Sequence, residues 1–573
     1  MSKMSIDQRS IESLLSDKKA DFLIPDYQRP YSWEKEQCET LWTDLETFAF
    51  PGGDSSKFDT DDEYFLGPIV TYKNKDGKQE VIDGQQRLTT IMLLLRGFYK
   101  LFTKMKDKDA TKTRERIEKC VWKSDEMGEP DLDKLKILSD VVTDDEKDEF
   151  ITILKTGVTT DDMQSKYAEN YRYFEEKIEG FLHDYPAYIA KFPVRIMSNC
   201  ILLPIEADSQ STALRIFSTL NDRGMALSDS DIFKAKFYEY YSSLGRKDEF
   251  ITKWKDLAEL CGEIFFPSKG TPVDDLFTRY MYYIRAKEGN KDTTTEALRK
   301  FYERDEYKLL RNEETFNDLQ ALADFWDSVD LQDDERFSQR VLRELLILNY
   351  APNKMWTYFT SVYFLTNKDK DNNLDDQAFY EFLHKTIAFV WAYAITRPGV
   401  NALRTPIYAE MINVVKKNPV TFSEFKFDVR NTRSQIENYR FYNMRPITKS
   451  MLAWWAFHKR GQEVMPLDEI LEIEHIYARN RVVSDPEIID ELGNKALLEK
   501  RVNIRASDYA FKDKVERYKG IQRNGKKKEP THIKELLELA DAYTDFTEED
   551  IKQRTELIID EFIKYLKKEK LTR

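Results

Sequence analysis

The hydrophobic pattern changes period several times along the chain. In IESLLSDKKADFLIPDYQRPYSWEKEQCETLWTDLETF (11–48) a short helical run gives way to an extended, proline-bounded segment. A helix comes next, whose apolar positions Cys38, Leu41, Trp42 and Leu45 recur at i, i+3, i+4 and i+7. FLGPIVTYKNKDGKQEVIDG (65–84) reads as two β-rich runs around a Lys-Asp-Gly turn, and QQRLTTIMLLLRGFYKLF (85–102) as a strongly apolar helix. Gly84 falls at that junction, where amide N–H groups at a helix start can hold an anion. From about 104 to 195 the pattern is charge-rich and helical, which predicts a helical insertion. VRIMSNCILLPIEA (194–207) is a buried-strand run. Two helices then flank Asn221-Asp222-Arg223-Gly224, with Ser228 or Asp229 as N-cap of the second. Residues 245 to about 430 are nearly all helical in pattern, and stripes such as WTYFTSVYFL and FVWAYAI suit a helical core. From about 431, helices surround one non-helical patch, EILEIEHIYARNRVVSD (469–485).

Composition narrows the functional classes. Across 573 residues, 89 Lys and Arg against 103 Asp and Glu give a net charge of −14, so a uniformly basic nucleic-acid coat is excluded and any DNA contact is a local patch. With 13% aromatic residues the chain is too ring-rich to be disordered. Cys38, Cys120, Cys200 and Cys261 read as reduced, packed thiols. Neither they nor the scattered His183, His384, His458, His475 and His532 show a zinc-ligand spacing, so zinc is not expected. No apolar run approaches the roughly 18 residues that span a bilayer, and the polar start lacks a secretion signal; a cytoplasmic protein with no membrane partner is expected.

The leading catalytic candidate is Glu474-His475, with Asn494 and Asn503 further along the chain. A neutral imidazole can take a proton from water, while Glu474 and an Asn carbonyl are hard oxygen donors suited to Mg²⁺ or Mn²⁺. A hydrogen-bonded core histidine would give the same local pattern. The adjoining basic run favours the functional reading: between 495 and 528 twelve basic residues stand against four acidic ones, a local +8 in an acidic protein. A phosphate backbone would explain that run, as would a solvated basic surface. GIQRNGKK (520–527) nearly fits a Walker A loop, but it lacks the Ser or Thr for Mg²⁺ and comes after a helical segment. A basic loop touching DNA is the better reading.

EIEHIYARN with LGNKALLEKRVNIRASDYAFKDKVERY resembles the His-Me finger (HNH-type) nuclease module at the C-terminus of GmrSD-type restriction proteins, departing from it in having Ala478 where the family usually has Pro. The resemblance implies a ββα finger with His475 as general base, Glu474 and Asn503 as metal ligands, and Asn494 bracing the hairpin loop. Lys514 would support phosphate binding, with Lys512 and Arg505 beside it on DNA. IPDYQRPYSW (24–33), FLGPIV (65–70), VIDGQQRLTT (81–90) and FSTLNDRGMALS (217–228) are similar, in order and spacing, to the N-terminal domain of the same proteins, which resembles the ParB and sulfiredoxin α/β fold. That likeness implies nucleotide binding and hydrolysis. Asp83 would contact metal or activate water, Gly84, Gln85 and Gln86 would line the phosphates, and Arg87 would neutralise them. Gln28, Arg29, Tyr31 and Trp33 would form the facing wall, and Asn221 and Arg223 are further candidates. Read without the resemblance, Asp83-Gly84 is equally a strand-to-helix turn, Arg29 a partner of Asp83 or Asp44, and Trp33 a core residue.

The expected fold is α+β and predominantly helical. It would comprise a ParB-like domain (1–245) with its insertion, a helical bridge (246–430) and a nuclease domain (431–573). The expected function is a nucleoside triphosphate-regulated, Mg²⁺- or Mn²⁺-dependent endonuclease on double-stranded DNA in prokaryotic anti-phage defence, restricting modified phage DNA, with homo-oligomers allowed. The alternative is a nucleotide-switched DNA- or protein-binding module with an inactive HNH remnant.

Overall fold

The computed structural model describes the chain except residues 1–4, 7, 142–143, 210–211, 214–215, 217–227, 400, 480, 482, 484–485 and 522–526. Helix makes up 58% of it and the strands include one large mixed sheet, so the protein is α+β and predominantly helical. It divides into two compact units, Met1–Lys255 and Asp256–Arg573.

In the first unit β1 (Ser5–Ile6) and β2 (Arg9–Ser10) lead into α1 (Ile11–Leu15), β3 (Phe22–Ile24) and α2 (Lys35–Ala49). β4 (Tyr64–Lys73) and β5 (Gln79–Asp83) form the predicted hairpin, and α3 (Gln85–Thr103) begins directly after it. α4 (Lys108–Val121), β6 (Trp122–Ser124), β7 (Pro130–Leu135) and β8 (Ile137–Ser139) come next. Then come α5 (Lys147–Thr156), α6 (Lys166–Asp184), α7 (Lys191–Asn199) and β9 (Cys200–Ala207). The sheet runs β1-β9-β4-β5-β3-β8, with β2 also on β9. Two expectations need correction. The insertion is not purely helical: β6 and β7 make a small hairpin, and β8 extends the main sheet beside β3, because Ile137 is buried there. The run at 194–207 is also split, with 194–199 finishing α7 and only 200–207 forming β9.

What positions a site here is the parallel pairing of β3 with β5. The segments that leave their C-terminal ends, Pro25–Trp33 and Asp83-Gly84, therefore emerge on one side of the sheet, where open α/β sheets bind ligands. Beneath them α3 is buried along most of its length. Its Phe98 and neighbouring Phe192 pack on Trp42 of α2, ring centroids 6.4 and 5.1 Å apart.

The second unit is built of helices around an aromatic core. Phe325 stacks on Phe364 (4.4 Å), and the buried Trp391 indole donates to the Ser450 carbonyl (2.8 Å), so the aromatic stripes are core. Its described strands are an antiparallel pair, β10 (Leu471–His475) and β11 (Lys495–Glu499), continued at once by the helix Lys500–Ala506. The C-terminal helix Glu548–Lys568 packs on the turn before β11. A Cβ on Gly493 would lie 2.1 Å from the Ile551 carbonyl, so only glycine allows that approach.

Candidate functional site

The end of β10 carries the first cluster. Pairing is regular from Leu471↔Glu499 to His475↔Lys495, which puts Glu472 and Glu474 on one face of the strand and His475 on the other. Asn494 is fully buried and spends its whole side chain on the loop after His475. Its Oδ1 accepts from Tyr477 N (2.7 Å), and its Nδ2 donates to the carbonyls of Tyr477 (3.2 Å) and Ile489 (3.0 Å). Its own carbonyl accepts from Ile476 N (2.9 Å). The loop at Ala478 is thus held by an amide rather than by a proline ring. Asn494 positions the site and has no donor or acceptor left for chemistry.

His475 is buried, and Arg479 Nε approaches its Nε2 at 3.4 Å as donor. Burial, then Arg479 and Lys495, push its pKa down to about 3 against a lesser pull from Asp490, so the ring is neutral at physiological pH. Glu474 is buried too. Its Oε1 accepts from Tyr518 Oη (2.7 Å) and pairs with Lys514 Nζ (2.9 Å), and its Oε2 accepts from His475 N (3.1 Å). Burial raises the Glu474 carboxyl, opposed by Lys514 and Tyr518. Lys514 also donates to the His475 carbonyl and is 1% exposed. This corrects Lys514 as a phosphate contact: its ammonium neutralises a buried carboxylate and is closed to solvent. Asn503 Nδ2 donates to Glu472 Oε2 (2.8 Å), and both residues are half-buried. Glu472 was missed from sequence, although the alternation Glu472-Ile473-Glu474 announces two carboxylates on one strand face.

The basic run is only partly a surface. Lys495 is fully buried and donates to the Phe441 carbonyl, Asn443 and Asp490, and Arg517 is buried as well. Arg505 is half-buried and donates to the Glu529 carbonyl (3.0 Å), while Lys512 is exposed. Residues 522–526 of the Walker-like segment lie outside the described residues.

The second cluster surrounds Asp83. Gly84 has φ +87°, and a Cβ there would meet Pro68 O at 3.1 Å and Ile69 Cγ1 at 3.0 Å, so the turn from β5 into α3 requires glycine. Asp83 Oδ1 accepts from Gly84 N (2.7 Å). Burial raises the Asp83 carboxyl, opposed by that bond and by Arg87 and Arg29. Arg87 Nη1 donates to Pro68 O (3.0 Å), and burial lowers its guanidinium against the pull of Asp83. Several of the nucleotide-site candidates are committed internally. Gln86 accepts from Ser32 N (2.7 Å) and donates to Pro30 O (3.0 Å), and Gln28 donates to Ile82 O (3.2 Å). Tyr31 is buried against Thr90 (2.7 Å) and Asn170 (3.1 Å). These three are clamps holding the 25–33 loop on the sheet, which corrects Gln28 and Tyr31 as parts of a facing wall and Gln86 as a phosphate-lining residue. Trp33 packs against the core. Gln85 Nε2 donates to Arg29 O (3.2 Å), while its buried Oε1 has no partner among the described residues. Asp83, Arg29, Arg87 and Gln85 therefore form the part of this cluster that keeps polar capacity. Asn221 and Arg223 lie outside the described residues.

One unit thus carries a polar cluster at a sheet end and the other a buried histidine at the end of a strand pair, and each lies within a stretch that matches a family model. Residues 11–238 match the model for the GmrSD restriction endonuclease N-terminal domain, and residues 426–561 match that for the GmrSD restriction endonuclease C-terminal domain. Together they cover well over half of the sequence. The chain belongs to the GmrSD restriction endonuclease family, which implies endonuclease activity on DNA in phage defence. No curated protein matches it.

Proposed function

We propose that the chain is a nucleotide-governed, divalent-metal-dependent DNA endonuclease that cuts with a His-Me finger at the end of β10. The single observation that carries the reading is the placement of the His475 ring, buried at a strand end beside a loop braced by the Asn494 amide. A neutral imidazole is already in the proton-accepting form, so Nε2 would take the proton of the attacking water. Arg479 is exposed and placed to turn from the ring to an incoming phosphate, which would raise the basicity of His475. Glu474 and His475 point to opposite faces, so a phosphate meeting both would lie across the strand end.

The donor set fits a hard divalent ion. Asn503 and Glu472 stand side by side, the amide Nδ2 now donating to the carboxylate, so Oδ1 would turn toward an ion there, and among the described residues Glu474 Oε2 accepts from the His475 amide alone. Mg²⁺ or Mn²⁺ held by Glu472, Glu474 and Asn503 would neutralise charge on the phosphate and the leaving oxygen. In the first unit, Arg29, Arg87 and Gln85 around Asp83 would bind nucleoside triphosphate, with hydrolysis governing the cut. Restriction of modified phage DNA rests on the family likeness.

A second reading has one specific observation in its favour. The Lys514 ammonium already neutralises Glu474, as a finger that had lost its metal would require, leaving a nucleotide-switched binding module. Purified protein incubated with phage DNA, modified and plain, with Mg²⁺ and varied nucleotides decides. Cleavage by wild type and none by His475→Ala supports the nuclease; inert wild type under every condition supports the binding module. Phage plating with Asp83→Ala and His475→Ala extends the test to the coupling: protection lost in both ties the two clusters to one activity.

A further inference from the structure

The zinc-type donors that the sequence scatters are gathered by the helices of the second unit. Glu344 lies on helix Gln339–Asn349, His384 on helix Asp376–Thr396, and His458 caps helix Pro446–Phe457. Their ligand atoms all fall within 4.8 Å of one another. His458 Nε2 is 2.9 and 3.1 Å from the two Glu344 oxygens, and His384 Nδ1 is 3.2 Å from Oε2. Such separations are close to the edge of a tetrahedron with metal–ligand bonds of about 2.0–2.1 Å.

Two further features point to a ligand. His384 Nδ1 is buried and, despite its nearness to Glu344, has no hydrogen-bond partner among the described residues. Nitrogen and oxygen are close but not aimed at each other, as when both aim at a third atom. The opposite ring nitrogen, Nε2, faces Glu569 at 3.8 Å, an ion-pair approach longer than a hydrogen bond. The three residues line a cavity of about 830 Å³, which would give an ion an entry path. Arg340, Arg343 and Lys459 also line that cavity, so an oxyanion or hydroxide would suit a remaining coordination position, while Glu344 and Glu569 together balance a divalent charge.

We propose that Glu344, His384 and His458 form a transition-metal site of the Zn²⁺ class, separate in chemistry from the oxygen donors around His475. Two imidazoles and one carboxylate select Zn²⁺ or Co²⁺ over Mg²⁺. The competing description is a bare ion pair, in which Glu344 is held down to about 2 by the two histidines.

The test uses the full chain stripped with chelator, reloaded with Zn²⁺ and gel-filtered. Wild type and His475→Ala should each retain about one equivalent; His384→Ala and His458→Ala should lose it. Because the ligand variants remove groups from the core, X-ray absorption of Zn²⁺-loaded wild type provides a measurement independent of them, and it should count two imidazoles. No retained zinc, a single imidazole, or undiminished binding by folded His384→Ala would overturn the site.

Discussion

The two clusters differ in how far their polar groups are satisfied. At β10 the buried charges are paired within the same module, Glu474 with Lys514, Lys495 with Asp490, and Arg554 with Glu535 and the carbonyls of Gly493 and Lys495, although Glu535 Oε1 and Arg505 Nε have no hydrogen-bond partner among the described residues. Around Asp83 the loop is clamped by Gln28 and Gln86, but the carboxyl is raised by burial and Gln85 Oε1 is left without a partner among the described residues. A satisfied network rigidifies a site, whereas unmet polar capacity at a sheet end is what a ligand completes. The contrast fits chemistry in one place and control in the other.

The sharpest way to break that comparison is at the proposed base, His475. Replacing His475 by Ala should lower cleavage about 10²- to 10⁴-fold or more, the usual contribution of general base catalysis, while the melting temperature stays near wild type. Next in size is Lys514→Met, which strands a buried carboxylate and should cost about 3–5 kcal/mol by urea denaturation. Adding Glu474→Gln to it should restore most of that stability; an unaffected single variant would show that the pair is not a structural one. Gly84→Ala should destabilise by about 1–2 kcal/mol, because the left-handed backbone and the Pro68 carbonyl both oppose a Cβ. Its nucleotide response should be lost along with the turn.

Smaller effects appear with pH. Unfolded His475 protonates near 6.5, while the folded ring resists until about 3. In that window the unfolded chain binds more protons, so stability should fall as pH drops from 6.5 toward 3 and be flat above it. His475→Asn should remove that share of the slope in urea midpoints measured against pH. Asp83 has the opposite sign: its raised carboxyl costs stability as pH rises through the acid range, so Asp83→Asn should be at least as stable as wild type at neutral pH.

Much of this molecule was legible in local pattern. The hairpin before Asp83 was announced by Lys-Asp-Gly, α3 by its apolar run, and the aromatic stripes by helical spacing, because turn chemistry and periodicity act over a few residues. The strands inside 104–195 were not, since β8 exists only by pairing with β3 more than a hundred residues earlier. Motif identity likewise marked Asp83 and His475 but not their surroundings.

The sequence by itself determined the helical class, the family and the two segments proposed to bear chemistry. Only tertiary structure decided that Lys514 faces Glu474 rather than solvent, that Gln86 is a clamp, and that Glu344, His384 and His458 meet. The reason is that charge pairing and ligand geometry depend on which distant helices and strands pack together, and spacing along the chain does not record that.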